Sequence, residues 1–322
     1  MRRRKFIALV GGAAAWPLVT HAQQSLDNAR KIGVLWPAAT PPGSPRMESF
    51  RQGLREAGFI DGQNVIIELR YAQKGPQQLA EFAAEFVRMN VDVIQASGDL
   101  APRIIQQATT TIPIVVISDD VEGAGLIATL SRPGANTTGL TILSPELSAK
   151  RLEVLSEIVP GLARVAALWD PTTGRSQVTM TEAVAKPLNI KVQVLEVRRR
   201  EDLTGAFDAA RGAQALNVFS SPLLSSLYRE IITLAEVYKL PAIYQWKEHV
   251  EAGGLLAYGP NLAAAWRQVG GITARVLRGT KPSDIPVELP TKLELFVNVR
   301  TAKSLGLVIP PSVLVRADDV ID

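Results

Sequence analysis

From Ile32 onward the chain keeps switching between two hydrophobic periods, and that alternation limits its fold more than any other feature. Ile32–Trp36 is a short apolar run, and a helical segment follows around Met47–Ala57. Asn64–Tyr71 alternates Val65, Ile67 and Leu69 with Asn64, Glu68 and Arg70. Gln78–Met89 then sets Leu79, Phe82, Ala83, Phe86 and Val87 on one helical stripe. Val91–Ser97, Ile112–Ser118 and Asn136–Thr141 read as further strands. A period of 2 fits a pleated strand and a period near 3.6 fits a helix. Repeated β-then-α units give a mostly parallel sheet with helices on both faces.

A second series begins at Ser144-Pro145, where Ser suits a helix cap and Pro the first turn. That helix carries Leu152, Leu155 and Val159 inward and stops at Pro160-Gly161. Strands are expected at Arg164–Asp170, Lys191–Val197, Ala215–Ser221, Pro241–Trp246 and Leu255–Gly259. Each series is about the length of one domain, with no low-complexity linker between them. Thr138–Leu143, Tyr258–Asn261 and Ile285–Lys292 are the expected junctions, so each lobe is assembled from separated segments. The predicted fold is α/β: two doubly wound parallel-sheet lobes joined by three crossover strands. The expected partition is residues 27–142 plus 260–290 in one lobe and 143–259 plus 291–322 in the other.

Charge and composition exclude several function classes. The net charge of +4 is local, because Arg2, Arg3, Arg4 and Lys5 precede a remainder with 31 basic and 31 acidic residues. A neutral body offers no footprint for nucleic acid. Without cysteine, and with only His21 and His249, disulfides, thiolate sites, lipidated cysteine and histidine-rich metal sites are excluded. No cofactor or metal is expected. Residues 1–22 read as an export leader: basic Arg2–Lys5, apolar Phe6–Val19, and Thr20-His21-Ala22 before cleavage. Arg3-Arg4-Lys5-Phe6-Ile7 resembles the twin-arginine pattern. The mature chain is expected to be soluble and periplasmic.

In an open parallel sheet, ligands bind beyond the carboxyl ends of the strands. The first lobe places Trp36-Pro37, Ser97-Gly98-Asp99, Ser118-Asp119-Asp120 and Thr141 there. The second places Asp170-Pro171, Ser220-Ser221-Pro222, Tyr244-Gln245-Trp246 and Tyr258-Gly259. Hydroxyls and free amides at helix starts suit a carboxylate. Asp119, Asp120 or Asp170 could take an ammonium, and Trp or Tyr rings could stack on an apolar body. The combination suits an amino acid or another small aromatic acid. Each such Ser, Asp or Gly also has an ordinary use in a turn or cap. Trp266 reads as helix packing.

Gly123-Ala124-Gly125-Leu126-Ile127-Ala128 matches the dinucleotide-binding spacing after a strand, but Asp119, Asp120 and Glu122 would repel a pyrophosphate. Glu248-His249 invites a catalytic reading, yet adjacent residues rarely face each other, and a solvated turn is expected. No HExxH, GxSxG or phosphate-loop signature is present.

Several longer stretches resemble one family in order along nearly the whole chain. They are Phe50–Gly58, Ala135–Leu140, Lys150–Leu155, Pro241–Tyr244, Glu251–Leu255 with Tyr258-Gly-Pro260, and Thr301–Gly306 with Ile309-Pro-Pro311. These are similar to ABC transporter substrate-binding proteins of the TrpX-like type. The resemblance implies a type I periplasmic-binding fold with a small-molecule solute, such as an aromatic amino acid, enclosed between the lobes. It also implies ABC permease subunits as membrane partners and a monomeric protein that performs no chemistry. A periplasmic sensing module is the alternative. The chain departs from its relatives at Ser118-Asp-Asp-Val-Glu122, where Asp-Pro-Val is common, and at Asp170-Pro171, where Asn-Pro is usual. The more acidic loop favours a cationic group on the ligand.

Overall fold

The computed structural model describes residues 29–37 and 44–322. The leader assigned to residues 1–22 lies outside the described residues.

The first lobe is built from β1 (Arg30–Trp36), α1 (Pro45–Glu56), β2 (Val65–Tyr71), α2 (Pro76–Arg88), β3 (Val93–Ser97), α3 (Leu100–Ala108), β4 (Ile114–Ser118) and β5 (Thr137–Thr141). Its sheet runs β2-β1-β3-β4-β5 with every pair parallel. The central strands β3 and β4 are covered on both faces, so their residues form near-continuous apolar runs instead of alternating. On one face α2 lays Leu79, Ala83 and Phe86 against the sheet. A Cβ at Gly33 would stand 2.8 Å from the Phe86 ring, so the bare strand backbone is what lets that ring settle on β1.

The second lobe follows with α4 (Ser144–Ile158), β6 (Arg164–Trp169), α5 (Ser176–Ala185), β7 (Lys191–Glu196), α6 (Asp202–Ala209), β8 (Ala215–Val218), α7 (Pro222–Ser226), α8 (Tyr228–Val237), β9 (Ala242–Tyr244), α9 (Lys247–Glu251) and β10 (Leu256–Pro260). The chain then returns to the first lobe as α10 (Leu262–Leu277) before closing the second with β11 (Leu293–Asn298), α11 (Val299–Ser304), α12 (Pro311–Arg316) and β12 (Asp319–Ile321). This sheet runs β12-β11-β10-β9-β8-β6-β7. It is mostly parallel, as expected, with one reversal: β11 lies antiparallel to β10, and β12 pairs parallel to β11. The reversal arises because the chain re-enters this lobe from the hinge side, running back along β10 without a crossover helix.

Helix α10 belongs to the first lobe through its contact with α1. A Cβ on Gly53 would overlap the Arg267 carbonyl, and one on Gly270 would overlap the Phe50 carbonyl. Two glycines therefore let the helix backbones touch, burying Trp266, Val269 and Ile272 beside Phe50 and Leu54.

Three passages join the lobes: β5 into α4, β10 into α10, and the segment before β11. The last runs along β5, where Ile285 C=O accepts from Thr138 Oγ1 at 2.7 Å and Glu288 N–H donates to Gly139 C=O at 2.9 Å. Thr141 N–H in turn donates to Glu288 C=O at 3.1 Å. Straps bonded to one another bend together, so their motion resembles a hinge more than a tether.

Candidate functional site

The carboxyl ends of β1, β3 and β4 face those of β6, β8 and β9 across the junction of the lobes. Gly98, at φ +75°, is one point of contact: a side chain there would press on the second lobe's Pro222 at 2.8 Å. Other contacts join Gly123 to Ser176 and the Arg103 guanidinium to the Thr172 carbonyl.

Polar groups converge at this junction. Ser118 Oγ donates to Asp99 Oδ1 at 2.5 Å, and Asp119 N–H donates to the same oxygen at 3.1 Å. Ser144 Oγ, from the second lobe, donates to Asp119 Oδ1 at 2.8 Å. The Ser220 and Ser221 hydroxyls favour the charged forms of Asp119 and Asp170, respectively. Ser118, Asp119, Asp170, Ser220 and Ser221 are all buried. Behind them Gln177 holds the Ser220 backbone at both ends, accepting from its N–H and donating to its C=O, each at 2.8 Å. Ser148 Oγ also donates to Gln177 Oε1 at 2.9 Å.

Burial governs the electrostatics. It pushes the Asp99 carboxyl up to about 8, assisted by the charge of Asp119. It also raises Asp119 against the opposing effect of the Ser220 and Ser144 hydroxyls, and raises Asp170 likewise. Arg151 is the cation beside them, 1% exposed, with Nε donating to Tyr258 C=O at 2.8 Å and Nη1 to Ser148 Oγ at 3.3 Å. Burial pushes its guanidinium down to about 9, still protonated at neutral pH. No group of three or more His, Asp or Glu side chains that could hold a metal ion occurs among the described residues.

Aromatic rings supply the apolar part. Trp36 packs against Trp266 with centroids 4.9 Å apart and planes tilted by 54°, meets Tyr71 edge-on at 6.0 Å, and its indole N–H donates to Gln95 Oε1 at 2.8 Å. Trp246, at the start of α9, joins the same apolar cluster from the other lobe.

Other residues proposed from sequence take different positions. Asp120 accepts from Gly123 N–H at 2.9 Å, closing a turn on the loop, and Ser221 caps α7 by accepting from Leu224 N–H at 2.9 Å. Tyr244 lies in the second lobe's core, its ring against Gly254 and 5.5 Å from His249, where it lines an outward cavity of about 740 Å³. Its ring packs with that lobe's own core, apart from the cluster that holds Trp246. Tyr258 offers its carbonyl to Arg151, and its ring packs on the core. Ser97 is half-buried and Thr141 buried, each at the last position of its strand.

Two expectations need correction. Ser144 is not the cap of α4; that place falls to Leu143 at φ +54°, which frees the Ser144 hydroxyl for Asp119. His249 is not in a solvated turn but is 2% exposed, stacked on Tyr228 at 4.9 Å. Burial, then Arg46 and Arg151, pushes its imidazole down to about 3. The Gly123–Ala128 segment forms turns after β4, with no helix, and Asp120 already holds the Gly123 amide that a phosphate would need. Arg151 was missed as a site-wall residue. Its signal was a cation on the inward stripe of α4, between Ser148 and Leu155.

The family model for ABC transporter substrate binding proteins matches residues 31–321. The chain belongs to that family. Among its substrate-binding relatives, a tyrosine-binding protein of Clostridioides difficile is 26% identical over 284 residues, covering 86% of this chain and 81% of the relative. A Streptococcus pneumoniae ABC domain in complex with L-Trp superposes with a TM-score of 0.84 at 24% identity, covering 91% of this chain and all (100%) of the other. A ligand-free, open structure of a substrate binding protein with adhesive properties from Clostridium difficile gives 0.66 at 25% identity, covering 91% and 99%. This substrate-binding protein therefore has the two-lobed type I periplasmic-binding architecture. None of its described helices is long and apolar enough to cross a membrane.

Proposed function

We propose that this protein captures a small amino-acid-like or aromatic carboxylate ligand between its lobes, in the periplasm, and delivers it as a monomer to the permease subunits of an ABC importer. The single observation that carries the reading is the polar cluster shared across the junction, in which Ser144 of one lobe donates to Asp119 of the other. A ligand that touches both sides of such a junction stabilises the closed arrangement by its differential affinity for it. The names of the relatives point to aromatic amino acids, and Trp36 and Trp246, from opposite lobes, share one apolar cluster. Export by the leader at residues 1–22 is part of the same proposal, as is the absence of chemistry on the ligand: His249, a base by type, is packed between the Tyr228 and Tyr244 rings and held neutral by burial.

The test is isothermal titration of the purified protein with L-tryptophan, L-tyrosine, phenylacetate and a branched-chain amino acid. Micromolar or tighter binding of at least one aromatic amino acid is expected, with weaker binding of the acid that lacks an amine. If none binds and none raises the melting temperature, the proposed ligand class is wrong.

A further inference from the structure

The second lobe carries a cavity apart from the junction. Its volume is about 740 Å³, and the residues that line it lie between Arg229 and Leu255 or between Arg300 and Leu305. Its shape therefore owes nothing to how the lobes meet. The bare Gly253-Gly254 turn keeps it open. Gly253 stands at φ +109°, and a Cβ there would already touch Ile232 at 3.8 Å. A Cβ on Gly254 would press on the Tyr244 ring at 2.9 Å. Thr301 Oγ1 fixes the turn by donating to Gly253 C=O at 2.9 Å.

Ile232, Ala235, Leu240 and Leu255 form an apolar floor. Tyr244 lines the same floor, 1% exposed, and its hydroxyl makes no hydrogen bond among the described residues. Nδ1 of the neighbouring His249 is orphaned and sealed from solvent, but the Tyr244 hydroxyl is not sealed, and the cavity is the space beside it. The other hydroxyls of the lining are spent on backbone carbonyls: Thr233 on Arg229, Ser304 on Thr301, and Thr301 on Gly253. A buried phenol O–H ordinarily has a partner. Burial pushes the proton affinity of this one well up, so it stays protonated and donates best to a negative oxygen. The charges at the mouth agree, since Arg229, Lys239 and Arg300 stand there against Glu236. Arg229 lies 5.1 Å over the Tyr228 ring and Arg300 donates to Asp322 C=O.

We propose that this cavity is a second ligand site, which takes a small organic anion. The apolar body lies on the floor, an oxygen accepts from the Tyr244 hydroxyl, and the charge sits in the field of Arg229, Lys239 and Arg300. The volume falls within the range of about 300–1,000 Å³ usual for small-molecule sites. The site is independent of the amino-acid reading above.

The probe is octanoate, with octylamine as its cationic counterpart, followed by NMR of the isoleucine and leucine methyl groups at saturating L-tryptophan. Saturable shifts at Ile232, Leu240 and Leu255 are expected with octanoate and none with the amine. Tyr244→Phe should weaken octanoate about tenfold, because a hydrogen bond to a charged group is lost. Lys239→Glu, on the exposed rim, should weaken it at low salt, and added salt should shrink that difference. L-tryptophan affinity should stay within about twofold of the parent in Lys239→Glu, since distant sites act independently. Absence of shifts at these methyls up to about 10 mM octanoate, or equal shifts with the amine, overturns the proposal. Should Tyr244→Phe not fold, Lys239→Glu and the comparison of the two probes still decide it. If L-tryptophan fails to bind, the amino-acid reading falls, while octanoate shifts at the same methyls still support this site.

Discussion

Replacing Asp119 by Asn is expected to weaken binding of an aromatic amino acid about a hundredfold or more, while Asp120→Asn leaves it within twofold. The two residues are neighbours in sequence and both were proposed from it, but their surroundings differ. Asp119 is buried and meets the Ser144 hydroxyl from the opposite lobe, whereas Asp120 is half-exposed and occupied by its own loop. An ammonium enclosed beside Asp119 would lose its counter-charge on substitution, and leaving one member of a buried pair unpaired costs about 3–5 kcal/mol. Each 1.4 kcal/mol is about a factor of ten in affinity, so the loss corresponds to about two to three orders of magnitude. Calorimetry on both variants checks this. Equal effects, or a change below tenfold at Asp119, would remove that carboxylate from the binding role.

Arg151→Met should lower the melting temperature by about 10 °C, more than any other single substitution at the junction. The guanidinium is the largest fully buried side chain, and its bonds reach from α4 to β10 and to Ser148. Methionine fills the volume but leaves the Asp119 charge without its cation. A broken buried pair costs about 3–5 kcal/mol, and a domain of this size loses about 2–4 °C per kcal/mol. If the repulsion among the carboxylates is the cause, adding Asp119→Asn to Arg151→Met should restore part of the loss, since coupled sites do not add. Scanning calorimetry of the two single variants and the double variant provides the check. A drop of under about 2 °C, or no recovery in the double variant, would show that Arg151 serves packing alone.

Most of the fold could be read from hydrophobic period because most of its strands are buried on both faces or alternate cleanly. The runs at Ile112–Ser118 and Arg164–Asp170 became β4 and β6 with only their ends trimmed. The strands β11 and β12 escaped because Leu293–Asn298 follows no helix and reverses direction, and the three residues of β12 carry no period at all. Side-chain direction was harder still. Tyr244 and Trp246 are two residues apart at one strand exit, yet one enters the core of its own lobe and the other the cluster of the opposite lobe. A strand of three residues ending at Tyr244 gives no alternation from which to choose. Ser144 looked like a helix cap because its type and the following Pro145 fit one. Only tertiary structure shows that Leu143 takes the left-handed turn and that the hydroxyl crosses to Asp119. The burial of His249 likewise depends on Tyr228, which comes from α8 and is not adjacent in sequence.

Lobe closure is the event on which the whole account depends. The lobes touch at Gly98–Pro222 and Gly123–Ser176, and the chain superposes better on the L-Trp complex, at 0.84, than on the ligand-free open structure, at 0.66. Small-angle scattering of the purified protein, with and without saturating L-tryptophan or L-tyrosine, measures the change directly. A smaller radius of gyration with ligand, together with a curve that matches the closed arrangement, is the expected result. Saturable binding with superimposable scattering curves would contradict closure around the ligand.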